Sequence, residues 1–137
     1  RIDIVIRGNC SLVPGIRGLR VNIHSVGIMD RYLEPSRILI FCNGGKNRYF
    51  LGSADWMPRN LSDRVEVLTS VYDEDLKRDL MRTVEYGLKD NTNGRIVDGK
   101  GTNELQPIDD EHPAFRSQEE LYHAYLKEDM SHDGNEN

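Results

Sequence analysis

Short runs in which apolar and polar side chains alternate dominate the first half of the chain and indicate β-strands. Many of the apolar positions are β-branched, which favours extended backbone. The predicted strands cover residues 2–7, 21–26, 37–42, 49–51 and 64–71. Between the third and the fourth, the N-G-G-K-N segment at residues 43–47 predicts a hairpin turn, because Gly and Asn adopt positive φ at little cost.

The spacing of apolar positions changes to a helical period after residue 73 and predicts a helix over residues 73–89. Asp73 is a suitable N-cap, and the acidic Glu74 and Asp75 suit the positive amino-terminal end of a helix dipole. The apolar positions that recur at helical spacing are Leu76, Leu80, Met81, Val84 and Leu88.

A second helix is predicted over residues 117–128, where Ser117 and Glu120 have the spacing of a capping box. Two shorter elements are also predicted. They are a helical turn over residues 30–34, which Pro35 closes, and a strand over residues 95–97.

Several short strands and two helices predict an α+β fold, a layered sandwich of a mixed sheet with flanking helices. We assign residues 1–90 to one domain. Residues 91–129 begin with a segment rich in Asn and Gly and are predicted to form a polar extension that ends in the second helix. Residues 130–137 are short, acidic and almost without apolar groups, so we predict a disordered tail.

The charge is unevenly distributed along the 137 residues, although the formal net charge is only −5. Residues 1–72 hold ten basic and six acidic side chains, and nine of the ten basic side chains are Arg. A guanidinium donates two parallel hydrogen bonds to a phosphate or a carboxylate. An Arg-rich half therefore indicates either oxyanion binding or a set of surface and internal ion pairs.

Several functional classes have no support in the sequence. No apolar run approaches the roughly 18 residues of a membrane span, and no signal peptide opens the chain. The four histidines lack metal-ligand spacing, and the motifs of serine hydrolases, P-loops, Rossmann folds and nucleic-acid-binding modules are absent. Cys10 and Cys42 lie in apolar stretches and are predicted to be buried free thiols of a cytoplasmic protein.

The S-A-D-W-M-P-R-N segment at residues 53–60 stands out because it has no periodicity and contains the only Trp of the chain. Ordering such a loop costs conformational entropy, so it is expected to pack against something or to bind something. Two interpretations stay open from the residues alone: a structural corner anchored by Trp56, or a ligand-binding loop.

Five segments together closely resemble the C-terminal region of bacterial polyphosphate kinases. They are I-R-G-N-C-S-L-V-P-G at residues 6–15, D-R-Y-L-E at residues 30–34, R-I with N-G-G at residues 37–45, the segment at residues 53–60, and R-V-E-V at residues 64–67. The resemblance runs colinearly from about residue 4 to residue 88 and is loose beyond residue 91. It implies a phospholipase D-like fold for this region.

The resemblance implies an enzyme that moves the terminal phosphate of ATP reversibly onto polyphosphate through a phosphorylated histidine. ATP and magnesium are the expected cofactors, and a homo-oligomer in the cytoplasm is the expected full-length protein, with membrane association left open. The resemblance places the phosphohistidine and the magnesium-linked residues upstream of this region. Because the chain opens on Arg1 rather than Met, we interpret it as a piece of such an enzyme, inactive when isolated.

The resemblance also assigns individual residues. Arg7 corresponds to the strand-end Arg that binds ATP, and Pro35 stands where the family has a histidine, which Pro cannot replace as a proton donor or phosphate ligand. Arg37, Ser53 and Asn60 are candidate phosphate contacts, with Asp55 as an orienter of Arg. The chain is thus expected to hold no catalytic residue and no metal site of its own.

Two rival functions follow from the same residues. The chain can be a non-catalytic anion-binding or oligomerisation module, because Pro35 removes the family's histidine. A phosphodiesterase of the phospholipase D type needs two H-x-K histidines, and the candidate position holds Pro35. A nucleic-acid-binding domain is disfavoured because the chain is acidic overall and lacks an exposed aromatic series.

Overall fold

The computed structural model describes residues 1–8, 10–16, 18 and 22–133, which form six strands, three α-helices and one 3₁₀ turn. Two α-helices, α2 and α3, are long. In chain order the elements are β1 Ile2–Ile6, β2 Ile23–Ile28, β3 Arg37–Phe41, the 3₁₀ turn Asn43–Gly45, β4 Arg48–Gly52, α1 Pro58–Ser62, β5 Leu68–Val71, α2 Glu74–Lys89, β6 Gly94–Ile96 and α3 Ser117–Asp133. This mixture confirms the predicted α+β class.

The chain divides into two compact units, and the division differs from the predicted boundary at residue 90. The first unit combines Arg1–Tyr32 with the chain from Glu85 onward, and the second is Leu33–Val84. Residues 91–129 are therefore not a separate extension. The physical reason is that β6 pairs with β2, which commits the chain beyond residue 90 to the sheet of the first unit.

The first unit contains a mixed sheet with the strand order β1-β2-β6. β1 lies parallel to β2, with Ile6 opposite Gly27, and β6 lies antiparallel to β2. β2 supplies the buried apolar side chains Val26 and Ile28. Gly87 of α2 lets the helix approach this sheet, because a Cβ at that position would lie 3.1 Å from both methyl groups of Val5.

The second unit contains an antiparallel sheet with the strand order β3-β4-β5. The turn Asn43–Gly45 joins β3 and β4, and its three residues all have positive φ, so the predicted hairpin is confirmed. Phe41 and Phe50 contact each other edge to face, with ring centroids 5.8 Å apart.

The helix α2 begins and ends where its sequence pattern predicts. The Asp73 carboxylate accepts hydrogen bonds from the backbone N–H groups of Asp75 at 2.9 Å and Leu76 at 3.0 Å. Two of the amino-terminal N–H groups that have no partner within the helix are therefore satisfied, and the predicted N-cap is confirmed.

The side chain of Asp90, directly after α2, is completely buried and connects three parts of the first unit. Its Oδ1 accepts hydrogen bonds from the backbone N–H groups of Thr92, Asn93 and Gly94, at 3.2, 2.8 and 3.0 Å. Its Oδ2 accepts from the N–H of Ser117 at 2.8 Å and from the Ser117 hydroxyl at 2.7 Å. One carboxylate thus shapes the turn into β6 and holds the first turn of α3.

The predicted capping box of α3 is wrong, because the Ser117 hydroxyl donates a hydrogen bond to Asp90, 27 residues away in sequence. Sequence spacing alone favours the local partner, Glu120, whereas the buried carboxylate offers a stronger, charge-assisted hydrogen bond. The N–H of Glu120 instead donates to the Arg116 carbonyl, as in an ordinary first helical turn.

The segment at residues 30–34 is not the predicted helical turn, because contacts with α3 hold it in a different shape. Arg116 donates hydrogen bonds to both carboxylate oxygens of Asp30, at 2.6 and 3.0 Å. The Gln118 side chain pairs with both backbone groups of Tyr32, at 3.0 and 2.8 Å. Beside Asp30 the pKa of Arg116 is raised, and hydrogen bonding to Arg116 lowers the pKa of Asp30.

Three elements have a boundary that differs from the prediction by more than one residue. β2 is Ile23–Ile28 rather than residues 21–26, and Val21 lies outside the described residues. β5 begins at Leu68 rather than residue 64, because the preceding residues contact a loop instead of a strand. α3 continues to Asp133, so residues 130–133 are helical where a disordered tail was predicted; the tail at residues 134–137 lies outside the described residues.

Cys10 and Cys42 are both free thiols, as predicted, but the expectation that they are buried is wrong. Cys42 follows the last residue of β3 and lies at the hairpin turn, where the chain leaves the sheet. An apolar sequence neighbourhood therefore does not bury a residue that lies at the end of its strand.

We predict that Asp90→Asn lowers the free energy of unfolding by about 3 kcal/mol. The reason is that an NH₂ group would replace one carboxylate oxygen and cannot accept hydrogen bonds from the buried donors that now contact Asp90. Urea unfolding at pH 7 measures this loss. The exposed Asp110→Asn is the matched control and is expected to change stability by less than about 0.5 kcal/mol. Equal stability of the two variants would contradict the central role of Asp90.

Candidate functional site

Arg7 follows the last residue of β1 and is exposed. Gly8 comes next with φ +77°, a conformation that lets the chain turn sharply behind the guanidinium. Within the described part of the chain, Arg7 makes no hydrogen bond or ion pair. Because ligands of open sheets with parallel strands bind beyond the carboxyl ends of those strands, this position suits an anion contact.

Arg37, the first residue of β3, donates hydrogen bonds to three acceptors in the second unit. Its Nε donates to Oδ1 of Asp55 at 2.6 Å, and its Nη1 donates to the backbone carbonyls of Pro35 and, at 3.5 Å, of Glu34. The Arg37 and Asp55 side chains are each about one third exposed. The expected contact between Asp55 and an Arg is therefore present, and it closes one end of the β3–β4 hairpin.

Ser53, Asn60 and Glu66 form a hydrogen-bonded group at the base of the loop, which we call the loop-base cluster. The Glu66 carboxylate accepts from the Ser53 hydroxyl and, at 2.8 Å, from Nδ2 of Asn60. These two hydrogen bonds lower the pKa of Glu66, with that from Ser53 the larger cause. Ser53 also exchanges hydrogen bonds with the backbone of Val67, so both ends of the loop are joined.

The loop-base cluster changes the expectation for Ser53 and Asn60. Both donate to Glu66, and Asn60 is only 4% exposed, so its amide faces the protein interior. In this structure the two side chains support the loop and do not present their donors outward. The structure brings Arg37, Ser53, Asp55 and Asn60 into the second unit, whereas Arg7 belongs to the first.

Glu66 is a residue of the candidate site that was not predicted from the sequence. It lies in the R-V-E-V segment at residues 64–67, one of the five matching segments, but an alternating strand was the preferred interpretation there. The signal in the sequence that points to Glu66 is an acidic residue in the Arg-rich half of the chain, soon after a loop that contains hydroxyl and amide donors.

Trp56 does not anchor the loop, because its side chain is 78% exposed. The neighbouring Met57 and Leu61 are exposed as well. The interpretation of this loop as a structural corner anchored by Trp56 is therefore wrong about the anchoring residue, because polar residues hold the loop. Its apolar residues lie on the surface of the second unit.

The described residues offer no group of three or more His, Cys, Asp or Glu side chains that fits a metal ion. Among the described helices, none is long and apolar enough to span a membrane.

Comparisons with known proteins point to one family. The family model described as polyphosphate kinase C-terminal domain 2 matches residues 1–118. The polyphosphate kinase of Prosthecochloris aestuarii is 42% identical over 132 residues, which are 96% of this chain and 18% of that protein. The polyphosphate kinase of Escherichia coli K12 is 39% identical over 106 residues, which are 77% of this chain and 15% of that protein.

The fold agrees with a solved structure as well. The crystal structure of polyphosphate kinase from Porphyromonas gingivalis matches 93% of this chain with a TM-score of 0.84 and 38% sequence identity. The match covers 19% of that chain, so the present chain spans about a fifth of its relatives' length. This match confirms the expected phospholipase D-like α+β fold.

We predict that Glu66→Gln weakens the loop and removes a pH dependence of stability. Because the folded chain lowers the Glu66 pKa, the ionised carboxylate stabilises the fold at neutral pH, and this contribution is lost as the pH falls from about 4.5 through the lowered value. The variant should be less stable at pH 7 and should lose less stability than the wild type on acidification.

Chemical unfolding at pH 7, 5, 4 and 3 measures this difference. Glu85→Gln, at an exposed position of α2, is the matched control for removing one carboxylate. Other acidic groups whose pKa is lowered in the folded chain contribute equally to the pH dependence of all three proteins. The test is therefore the difference in pH dependence between the proteins. Parallel pH curves for Glu66→Gln and the wild type would contradict the structural role of Glu66.

Proposed function

Because this chain belongs to the polyphosphate kinase family, we propose that it is the C-terminal part of an enzyme that reversibly transfers the terminal phosphate of ATP to polyphosphate. The transfer passes through a phosphohistidine in a preceding region of the enzyme. The small share of its relatives' length that the chain spans supports this assignment. The cytoplasmic location and the homo-oligomeric state expected from the resemblance stay predictions.

The position of Arg7 is the observation that carries the proposal. Its guanidinium is exposed at the carboxyl end of a strand, followed by a glycine with positive φ, within one of the five segments that resemble the family. A planar guanidinium at such a position can donate two parallel hydrogen bonds to phosphate oxygens. We assign to Arg7 the binding of a nucleotide phosphate.

The chemistry asks the protein mainly for positioning and charge neutralisation, because phosphoryl transfer needs few covalent steps from side chains. Arg7 supplies positive charge to the phosphates. Magnesium, when bound through other parts of the enzyme, would neutralise phosphate charge. The chain by itself is expected to be inactive, since the phosphohistidine is assigned to another region.

Pro35 favours a second candidate function, a non-catalytic module that keeps an anion site or an oligomer contact. A pyrrolidine ring neither donates a proton nor binds phosphate, so this copy lacks the chemistry of the family's histidine. The two candidates share the anion site at Arg7 and differ in whether the enzyme to which the chain belongs turns over.

We predict that the chain binds polyphosphate and ATP with an affinity that falls as salt increases, because each neutralised phosphate releases counterions. Calorimetric titrations at two salt concentrations measure it. Arg7→Ala is expected to weaken polyphosphate binding about tenfold and to lower the salt slope by about one. Arg48→Ala removes the same charge from β4 and should change binding much less. Unchanged binding by Arg7→Ala would contradict the proposed site.

We further predict that Pro35→His makes ATP binding pH-dependent, because the resemblance assigns this position to ATP binding and an imidazole with a pKa near 6.5 gains a positive charge as the pH falls. ATP affinity should strengthen about threefold to tenfold between pH 7.5 and 5.5, beyond the change that the wild type shows. Ser36→His places the same group one residue away and serves as the control. Equal pH profiles for both histidine variants would show that position 35 does not face the nucleotide.

A further inference from the structure

The hydrogen bonds of Arg37 join two segments that are distant in sequence. Nε donates to Asp55 at 2.6 Å, whereas Nη1 donates to the carbonyls of Glu34 and Pro35. One guanidinium thus ties the segment that leads into β3 to the loop that follows β4. Arg37 and Gly52 are register partners, so both segments leave the sheet at the same end.

This geometry leaves Arg37 poorly suited to bind phosphate. A guanidinium recognises phosphate best through two parallel donors on one edge, either Nε with one terminal nitrogen or the two terminal nitrogens together. At Arg37, Nε is engaged with a carboxylate and Nη1 with carbonyls, so each of these edges contains a nitrogen that is already engaged. The Asp55 carboxylate also neutralises the charge that a phosphate would need.

The acceptors explain what Arg37 does instead. Two of them are backbone carbonyls, so their positions define the path of residues 34 and 35 whatever side chain residue 35 carries. The third belongs to Asp55, which directly precedes the exposed Trp56. Arg37 is therefore placed to hold both segments in one arrangement before any ligand arrives.

We propose that Arg37 is a positioning residue that fixes residues 34–35 and the Asp55 loop in one arrangement on which polyphosphate binding depends, and that it is not itself a phosphate ligand. This inference rests on the proposed function for its ligand, polyphosphate. It replaces the phosphate-contact role that the resemblance suggested for Arg37. The expected consequence is that the shape of the guanidinium matters more than its charge.

Arg37→Lys separates the two roles, because Lys keeps the positive charge but lacks the donors that reach three acceptors in different directions. In the ligand-free chain, hydrogen exchange in peptides covering residues 33–38 and 53–57 should become about tenfold faster in this variant. The control, Arg48→Lys on β4, should leave both peptides unchanged. Exchange at the wild-type rate in Arg37→Lys would overturn the proposal.

Polyphosphate titrations at several salt concentrations supply the functional readout. For a positioning residue, Arg37→Lys should weaken binding about fivefold to tenfold with an unchanged salt slope, and Asp55→Asn should do the same. The double variant should be no weaker than Arg37→Lys alone, since the contact that Asp55→Asn weakens is already lost there. A phosphate ligand would instead retain most affinity as Lys and lose about one unit of salt slope as Arg37→Met, and this result would overturn the proposal.

The hydrogen-exchange experiment and the polyphosphate-binding experiment test separate statements, so one can fail without the other. If the wild-type chain binds no polyphosphate, the proposed function fails, while hydrogen exchange still decides whether Arg37 holds the two segments. If exchange accelerates in Arg37→Lys but polyphosphate binding is unchanged, the contacts are merely structural and the positioning role is overturned. Thermal unfolding of each variant checks that the fold is intact.

Discussion

The buried carboxylate of Asp90 is the interaction on which the first unit depends. Removing a charged group from water is costly unless hydrogen bonds replace its hydration, and here N–H groups and a hydroxyl from two segments do so. Gly94 has to be glycine for this turn to close, because a Cβ there would lie 1.9 Å from the Asp90 carbonyl oxygen. The start of α3 is fixed as a result, and Arg116, directly before α3, holds Asp30.

Carboxylates also organise the second unit, which changes the meaning of its many Arg residues. Asp55 engages Arg37, and Glu66 engages the hydroxyl and amide donors at the loop base. Arg48 lies over the Phe50 ring, 5.5 Å from its centroid. Part of the positive charge is thus used for internal structure, and a count of Arg residues overstates the charge available to a ligand. The ion-pair interpretation of the charge pattern applies to Arg37, whereas oxyanion binding stays a prediction for Arg7.

Features that depend on neighbouring residues could be predicted from the sequence. The cap at Asp73, the helix that follows it and the hairpin at residues 43–47 all come from local preferences. Asp90 and Ser117 are 27 residues apart, and Asp30 and Arg116 are 86 apart, so no local pattern announces these contacts. At the site, the contact between Arg37 and Asp55 was expected, but the orientation of Ser53 and Asn60 depended on Glu66, whose partners only the fold reveals.

Position 35, where the resemblance implies a histidine, holds Pro35 in a framework that does not depend on the side chain there. The proline carbonyl accepts a hydrogen bond from Arg37 as any residue's carbonyl could, and proline lacks only a backbone N–H, which the Arg37 contacts do not use. The loop-base cluster and the sheet register involve other residues. The architecture that presents position 35 is therefore independent of the group presented there. The shape of this region and the chemistry of the group at position 35 can therefore be tested separately.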